Sequence, residues 1–130
     1  MTTMTQTISV LLVDDHRLVL EGMRALLKEH DDLEVVGTAE DGVQALEVAA
    51  ELKPDVMVLD VSMPRMGGLE VLANLMDWND APAVIICSMH EQVGESAMAL
   101  GARAFVEKRS VARNLVRAIR DVAEEANAEG

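Results

Sequence analysis

Val56-Met57-Val58-Leu59-Asp60 is a run of four apolar residues that ends on a carboxylate. With Pro54 just before it and a turn-rich stretch after it, the run reads as a strand covered on both faces, the signature of a parallel sheet. The same arrangement recurs on either side. Val10-Leu11-Leu12-Val13 leads into Asp14-Asp15, Val84-Ile85-Ile86-Cys87 into Ser88, and Ala104-Phe105-Val106 towards Lys108. In one parallel sheet these polar groups gather at the carboxyl edge, where open α/β sheets place their sites. Three carboxylates, a hydroxyl and an ammonium then meet in one shallow pocket.

Helical spacing fills the gaps between these runs. Ile8 to Val13 is read as the first strand, followed by a helix from about Arg17 to Glu29 with Val19, Met23, Leu26 and Leu27 on one face. Leu33 to Gly37 is a short second strand. Asp41 caps the next helix, and Pro54 stops it. After the third strand, Val56 to Asp60, comes a loop over Val61 to Gly68 and a short helix from Leu69 to Met76 or Asp77. Val84 to Cys87 is the fourth strand, and Glu91 to Leu100 a helix interrupted by Gly94. Gly101 ends that helix, Arg103 to Val106 forms the fifth strand, and Ser110 caps a last helix with Val111, Leu115, Ile119 and Val122 inward. Five strands alternating with five helices make a compact α/β sandwich with right-handed crossovers. Strand order is not dictated by the spacing, but an order of 2-1-3-4-5 brings the ends of the first and third strands together at a switch-point crevice.

The chain of 130 residues is enough for one domain. Residues 8–124 read as that domain, residues 1–7 as a flexible N-terminus, and residues 125–130 as a tail or the start of a linker. Half of the residues are apolar, yet Trp78 and Phe105 are the only aromatics, so the core is aliphatic and offers no stacking platform for single-stranded nucleic acid. A net charge of −12 argues against this segment gripping a phosphate backbone. Cys87, the single cysteine, rules out an internal disulfide and reads as a small buried hydrophobe. Neither a signal peptide nor a membrane span is visible, which fits a cytoplasmic location.

Asp60, exposed at a sheet edge on a rigid strand, is placed to attack phosphorus and form an acyl phosphate. Asp14 and Asp15 bring like charge close to it, and one such pair at 4 Å costs very roughly 4 kcal/mol at an effective dielectric near 20. A divalent cation is the natural compensator, and oxygen ligands favour Mg2+, with Mn2+ as a substitute, over zinc. Asp15, Asp60 and a backbone carbonyl from Ser62 suffice as ligands, with Asp14 ligating directly or holding a metal-bound water. Ser88 offers a hydroxyl to a phosphoryl oxygen. Lys108 pairs with Asp60 at rest and with the phosphoryl group afterwards. His16 invites a metal reading, but His30 and His90 show no zinc spacing with it, and it is read as a helix-start residue at the surface.

This set resembles the receiver domain of two-component response regulators, along nearly the whole chain. The stretches that carry the resemblance are Val10 to His16, Leu59-Asp60-Val61-Ser62-Met63-Pro64, Cys87-Ser88-Met89-His90 and Gly101 to Lys108. It implies a flavodoxin-like, doubly wound (βα)5 sheet of order 2-1-3-4-5 in a three-layer sandwich. Asp60 is then the acceptor of phosphate from a sensor histidine kinase, and Asp14 and Asp15 serve magnesium. Ser88 is the switch hydroxyl, Lys108 the phosphate-facing lysine, and Phe105 the switch aromatic. The face built by the fourth helix, fifth strand and fifth helix is implied to repack on phosphorylation and to support a homodimer or other protein contact. One departure is Met63-Pro64-Arg65-Met66-Gly67-Gly68, where the family often has a glycine in place of Arg65 and an acid in place of Gly67. Arg65 is expected to add positive charge near the pocket, and Gly67 to weaken the capping of the third helix.

The Asp-Asp-His start and the Ser-Met-His stretch look most like the nitrate-response and nodulation-regulator branch, with its LuxR-type output. That likeness implies a C-terminal helix-turn-helix domain outside these residues, binding promoter DNA and controlling transcription. The alternative is a stand-alone receiver, or a degenerate one, acting only through protein contacts with a downstream partner. Two enzyme classes fit less well. A dehalogenase-like phosphatase wants a second acid where Ser62 stands, and Gly67-Gly68 is not a phosphate-binding glycine loop. The chain therefore reads as a switch that assists its own phosphorylation and dephosphorylation, not as a metabolic enzyme.

Overall fold

The computed structural model describes residues 7–129, with the side chain of Glu129 left aside, so the N-terminus read as flexible lies outside the described residues except for Thr7. In chain order the elements are β1 (Ile8–Val13), α1 (Arg17–Lys28), β2 (Leu33–Ala39), α2 (Gly42–Leu52), β3 (Val56–Asp60) and α3 (Gly68–Leu75). β4 (Ala83–Ser88), α4 (Val93–Ala99), β5 (Ala104–Glu107), a 3-10 turn (Lys108–Ser110) and α5 (Val111–Glu129) follow. The five strands form one parallel sheet of order β2-β1-β3-β4-β5, the order that the resemblance implied. The chain turns from one side of β1 to the other between β2 and β3, which opens the crevice at their carboxyl ends.

Successive strand residues point to opposite faces, and the core divides accordingly. Val10, Leu12, Val56, Val58, Ile85, Cys87 and Val106 pack with Leu20, Met23 and Leu27 of α1 and with Leu115, Ile119 and Val122 of α5. Leu11, Val13, Met57, Leu59, Val84 and Ile86 pack on the other face with Ala45, Ala49, Val71, Leu72, Leu75 and Ala97. Cys87 behaves as the small hydrophobe its setting suggests: burial pushes its thiol up to about 12. Among the described residues no helix is long and apolar enough to cross a membrane.

Local chemistry explains most of the boundaries. The Asp41 side chain accepts the Gln44 N–H at 2.8 Å and starts α2, and Lys53 closes it in a left-handed conformation before Pro54. Gly67 is the N-cap of α3 and supplies no side-chain cap, as expected. Most boundaries shift by a residue or two from the sequence reading, and three are worth naming. β2 continues past Gly37 to Ala39, because the edge strand stays paired with β1 as far as Val13. α4 starts at Val93, not Glu91, and has no side-chain cap. Ser110 ends a 3-10 turn and directly precedes α5, which itself runs through residues 125–129.

Two glycines are set by geometry. Gly101 has φ of +107° between α4 and β5, a region that side chains rarely enter. Gly68 donates its N–H to the Val61 carbonyl at 2.8 Å, and a Cβ there would fall 2.3 Å from the Asp60 carbonyl oxygen. The backbone after β3 folds back this tightly only because that residue has no side chain. Gly68→Ala is therefore expected to lower the unfolding free energy by about 2 kcal/mol through overpacking. Urea denaturation would read this as a lower midpoint at unchanged slope, and a wild-type midpoint would mean that the 61–67 loop yields freely.

Candidate functional site

The pleat of the sheet selects the residues that meet at its carboxyl edge. Asp14 follows Leu12, Asp60 follows Val58 and Lys108 follows Val106, each two residues beyond a side chain packed on the α1/α5 face. Register places these ends side by side: Val13 pairs with Leu59, Asp60 with Cys87, and Cys87 with Val106. The Asp14 N–H donates to the Ala39 carbonyl at 3.1 Å, which extends the β1–β2 pairing by one residue and fixes this acid at the strand end.

The three groups are in contact. Lys108 Nζ lies 2.8 Å from Asp14 Oδ2 and 3.2 Å from Asp60 Oδ1. Asp14 and Asp60 are almost wholly buried and Lys108 nearly so. Burial raises the Asp60 pKa above the ordinary aspartate value, the Asp14 carboxylate pushes in the same direction, and Lys108 opposes them without prevailing. For Lys108 burial works against the ammonium, but the contacts with Asp14 and Asp60 outweigh it and hold its pKa above the ordinary lysine value. Asp60 Oδ2 is buried with no hydrogen-bond partner. A bare carboxylate oxygen at that depth is costly unless something binds it.

Asp15 turns outward and keeps 29% of its side chain exposed. Asp14, Asp15, His16 and Asp60 can each present one donor atom such that all four lie within 4.8 Å of one another. Three carboxylates there face one ammonium, so a divalent cation fits both the surplus charge and the bare Asp60 oxygen. Ser62, named from the sequence for its carbonyl, sits exposed in the loop two residues after Asp60.

Ser88 is buried at the end of β4, and its Oγ accepts the His90 N–H at 3.0 Å. Phe105 is half-buried beside Ile86 on the neighbouring strand. Its ring lies against Gly94, where an added Cβ would be 3.6 Å from the nearest ring carbon. Arg65 does not add its charge to the pocket as expected. With φ of +66° its side chain reaches Asp41, 3.2 Å from Oδ1, because the capping carboxylate of α2 is a nearer partner. His16 is the residue that the sequence reading undervalued. It starts α1, as anticipated, but its ring does not cap the helix; Nδ1 instead lies 3.1 Å from Asp14 Oδ1 and 3.0 Å from Asp15 Oδ1. The only signal in the sequence was its position directly after two acids.

Comparison with known proteins agrees with this geometry. The family described as response regulator receiver domain matches residues 10–120. The protein-glutamate methylesterase/protein-glutamine glutaminase of Geobacillus kaustophilus is 44% identical over 108 residues, which cover 81% of this chain and 31% of that protein. The crystal structure of the response regulator domain of Thermotoga maritima CheB superposes with a TM-score of 0.85 at 32% identity, covering 92% of this chain and 98% of that one. The receiver of the putative response regulator NarL from Mycobacterium tuberculosis superposes with a TM-score of 0.86 at 34% identity, over the same shares. The chain thus spans less than a third of the methylesterase relative that it matches.

These matches correct the branch. The expected nitrate-response and nodulation-regulator branch, and with it the helix-turn-helix output controlling transcription, is overturned by the 44% identity to the methylesterase. Structural likeness does not separate the two branches, since both receivers superpose equally well. The physical reason for the misassignment is that Asp14-Asp15-His16 and Ser88 stand at the carboxyl edge of the sheet. Such stretches answer to the chemistry of the site and carry no information about the domain that reads it.

The raised pKa of Asp60 has a consequence for stability. The folded chain holds this proton more tightly than the unfolded chain does, so stability falls as pH rises from the ordinary value of 3.8 through the raised one. Asp60→Asn removes the buried charge and keeps an acceptor for Lys108. The variant is expected to be more stable than wild type at about pH 7.5, with the advantage shrinking as pH is lowered towards the ordinary aspartate value. Urea midpoints across that range check this, and a variant no more stable at neutral pH would contradict it.

Proposed function

The chain belongs to the response regulator receiver domain family, and from that premise we propose that it is a phosphorylation-driven switch centred on Asp60 and read out by protein contact. The domain is not a metabolic enzyme. The observation that carries the reading is the Asp60 carboxylate itself: Lys108 holds Oδ1 at 3.2 Å, while Oδ2 is buried and bare. One oxygen fixes the orientation and the other stays open to an electrophile.

The donor is a phosphohistidine on a sensor kinase. An Asp60 oxygen attacks phosphorus, the bond from phosphorus to the donor imidazole nitrogen breaks, and its electron pair leaves with the donor. The product is a mixed anhydride on Asp60. Asp15, Asp60 and the Ser62 carbonyl, with Asp14 close by, would hold Mg2+, or Mn2+ in its place, which when bound would neutralise charge on the phosphoryl oxygens. Lys108 keeps contact with the site by moving from the carboxylate to a phosphoryl oxygen. Ser88 exchanges its bond with the His90 N–H for one to the phosphoryl group, which draws in the segment between β4 and α4. Phe105, whose ring lies near Gly94, responds to that shift in this reading. A water then attacks phosphorus, the bond from phosphorus to the Asp60 oxygen breaks, inorganic phosphate leaves, and the Asp60 carboxylate is restored.

Through the face formed by α4, β5 and α5 the domain acts on a protein, attached or separate, or on a second copy of itself. The likeness to a methylesterase receiver supports regulation by such contact and gives no support to DNA binding. A cytoplasmic setting follows from the kinase as donor.

Intact mass after incubation with acetyl phosphate or phosphoramidate tests the reading. Wild type is expected to gain one phosphoryl group only when Mg2+ is present, and Asp60→Asn to gain none. No gain in wild type, under conditions where another receiver reacts, would leave an interaction module without phosphorylation.

A further inference from the structure

Arg65 holds a backbone shape that its residue type does not favour. Its φ is +66°, and the Met66 N–H donates to the Pro64 carbonyl at 2.7 Å, across Arg65 alone. A turn closed over one central residue is a γ-turn, and a positive φ at that residue is its rare, strained form. Lys53 is the other non-glycine residue at positive φ among the described residues, and the end of α2 accounts for it: its N–H donates to the Ala49 carbonyl there. No helix ends at Arg65, so another contact must hold it.

That contact comes from α2. Arg65 Nη2 lies 3.2 Å from Asp41 Oδ1, the same oxygen that accepts the Gln44 N–H at 2.8 Å. One carboxylate oxygen thus caps the helix and pins the turn. The backbones meet at the same place. A Cβ added to Gly42, the first residue of α2, would fall 2.3 Å from the Met66 carbonyl oxygen and 2.6 Å from Met66 Cβ. The neck of the loop is closed separately, by the Gly68 N–H on the Val61 carbonyl. The stretch after Asp60 is therefore fastened at its neck by backbone and at its tip by the Arg65–Asp41 pair, with Ser62 between the two. An exposed ion pair adds little to overall stability, and the strained turn subtracts from it. What the pair does fix is the position of the segment that follows the reacting carboxylate, and chemistry is far more sensitive to position than folding is.

We propose that Arg65 is a positioning residue for phosphoryl transfer: paired with Asp41, it seats the loop after Asp60 on the start of α2 in the shape in which Asp60 reacts. This rests on the reading of Asp60 as the phosphoacceptor. Arg65 takes no part in the bond changes and stays on Asp41 throughout. A guanidinium that left Asp41 for the phosphoryl group would place the opposite demand on Asp41, because losing that carboxylate would free it to act.

Intact mass followed over time with phosphoramidate and Mg2+ tests the proposal in wild type, Arg65→Ala, Arg65→Gly, Arg65→Lys, Asp41→Ser and the Arg65→Ala/Asp41→Ser pair. Serine keeps the cap of α2 and removes the carboxylate. Arg65→Ala and Asp41→Ser are each expected to slow phosphorylation at least about fivefold, and the double variant no further than either alone. Arg65→Lys keeps the charge and is expected to stay within about twofold of wild type. Glycine accepts the positive φ without strain, so Arg65→Gly is expected to keep or raise the urea midpoint while reacting as slowly as Arg65→Ala. A role in stability alone would move rate and midpoint together. Amide exchange at Met66, with neither Mg2+ nor donor present, is expected to speed up in Arg65→Ala and Asp41→Ser. A wild-type rate in Arg65→Ala or Arg65→Gly, a faster Asp41→Ser, or unchanged exchange at Met66 would overturn the positioning role while phosphorylation of wild type stands. A wild type that takes up no phosphate would overturn it together with the reading beneath it.

Discussion

The contact on which the site depends is the Lys108 ammonium between Asp14 and Asp60, at 2.8 and 3.2 Å. It joins the ends of β1, β3 and β5, two of them adjacent strands and the third at the far edge of the sheet. Without it two buried carboxylates would face each other across a setting that already disfavours charge. With it the repulsion is reduced but not cancelled, and Asp60 still has a raised pKa. A pocket built in this way is not optimised for stability. It keeps excess negative charge where a cation and then a phosphoryl group can use it, a local conflict of the sort that sound folds tolerate at functional sites.

The remainder of the fold holds those strand ends in register. The central strands are buried on both faces, so slipping by one residue would turn every apolar side chain to the wrong layer. That constraint is what carries the pleat from Leu12, Val58 and Val106 to Asp14, Asp60 and Lys108. Gly68 completes the frame from the other side, because the loop after β3 must return against the Asp60 carbonyl. The position of the acceptor is therefore set by packing and backbone geometry before any polar contact is made.

The strands and the location of the site were legible because they rest on a strong physical signal, uninterrupted apolar runs that end on polar groups. The helix limits were less so. Glu91 was read as the start of a helix, yet α4 begins only at Val93 and without a side-chain cap. Gly94 reads as an interruption in the sequence, whereas in three dimensions it is the seat of the Phe105 ring. Side-chain direction was the least legible feature. Arg65 was expected at the pocket and turns to Asp41, and His16, at the surface and the start of α1 as expected, also turns its Nδ1 to two acids. Such choices depend on which partner is nearer by an ångström or two, and residue order does not encode that distance.

How a change at Asp60 reaches the surface is a question of which element yields first. α5 and α1 each bury several large side chains against the sheet and are costly to move. α4 has seven residues, includes Gly94, lacks a side-chain cap, and buries only Ala97. A helix of that length has little stability of its own, so tertiary contacts must hold it. Two of those contacts lead back to the site: Ser88, whose hydroxyl receives the His90 N–H just before the helix, and Phe105, whose ring rests on Gly94. Ser88 and Phe105 lie on adjacent strands, and Ser88 follows Ile86, the register partner of Phe105. A tug on the Ser88 hydroxyl would thus act on the weakest helix through its entry loop, on the side where the aromatic ring already bears on it. The strength of the sheet and the weakness of α4 together give a local charge change one direction in which to spread.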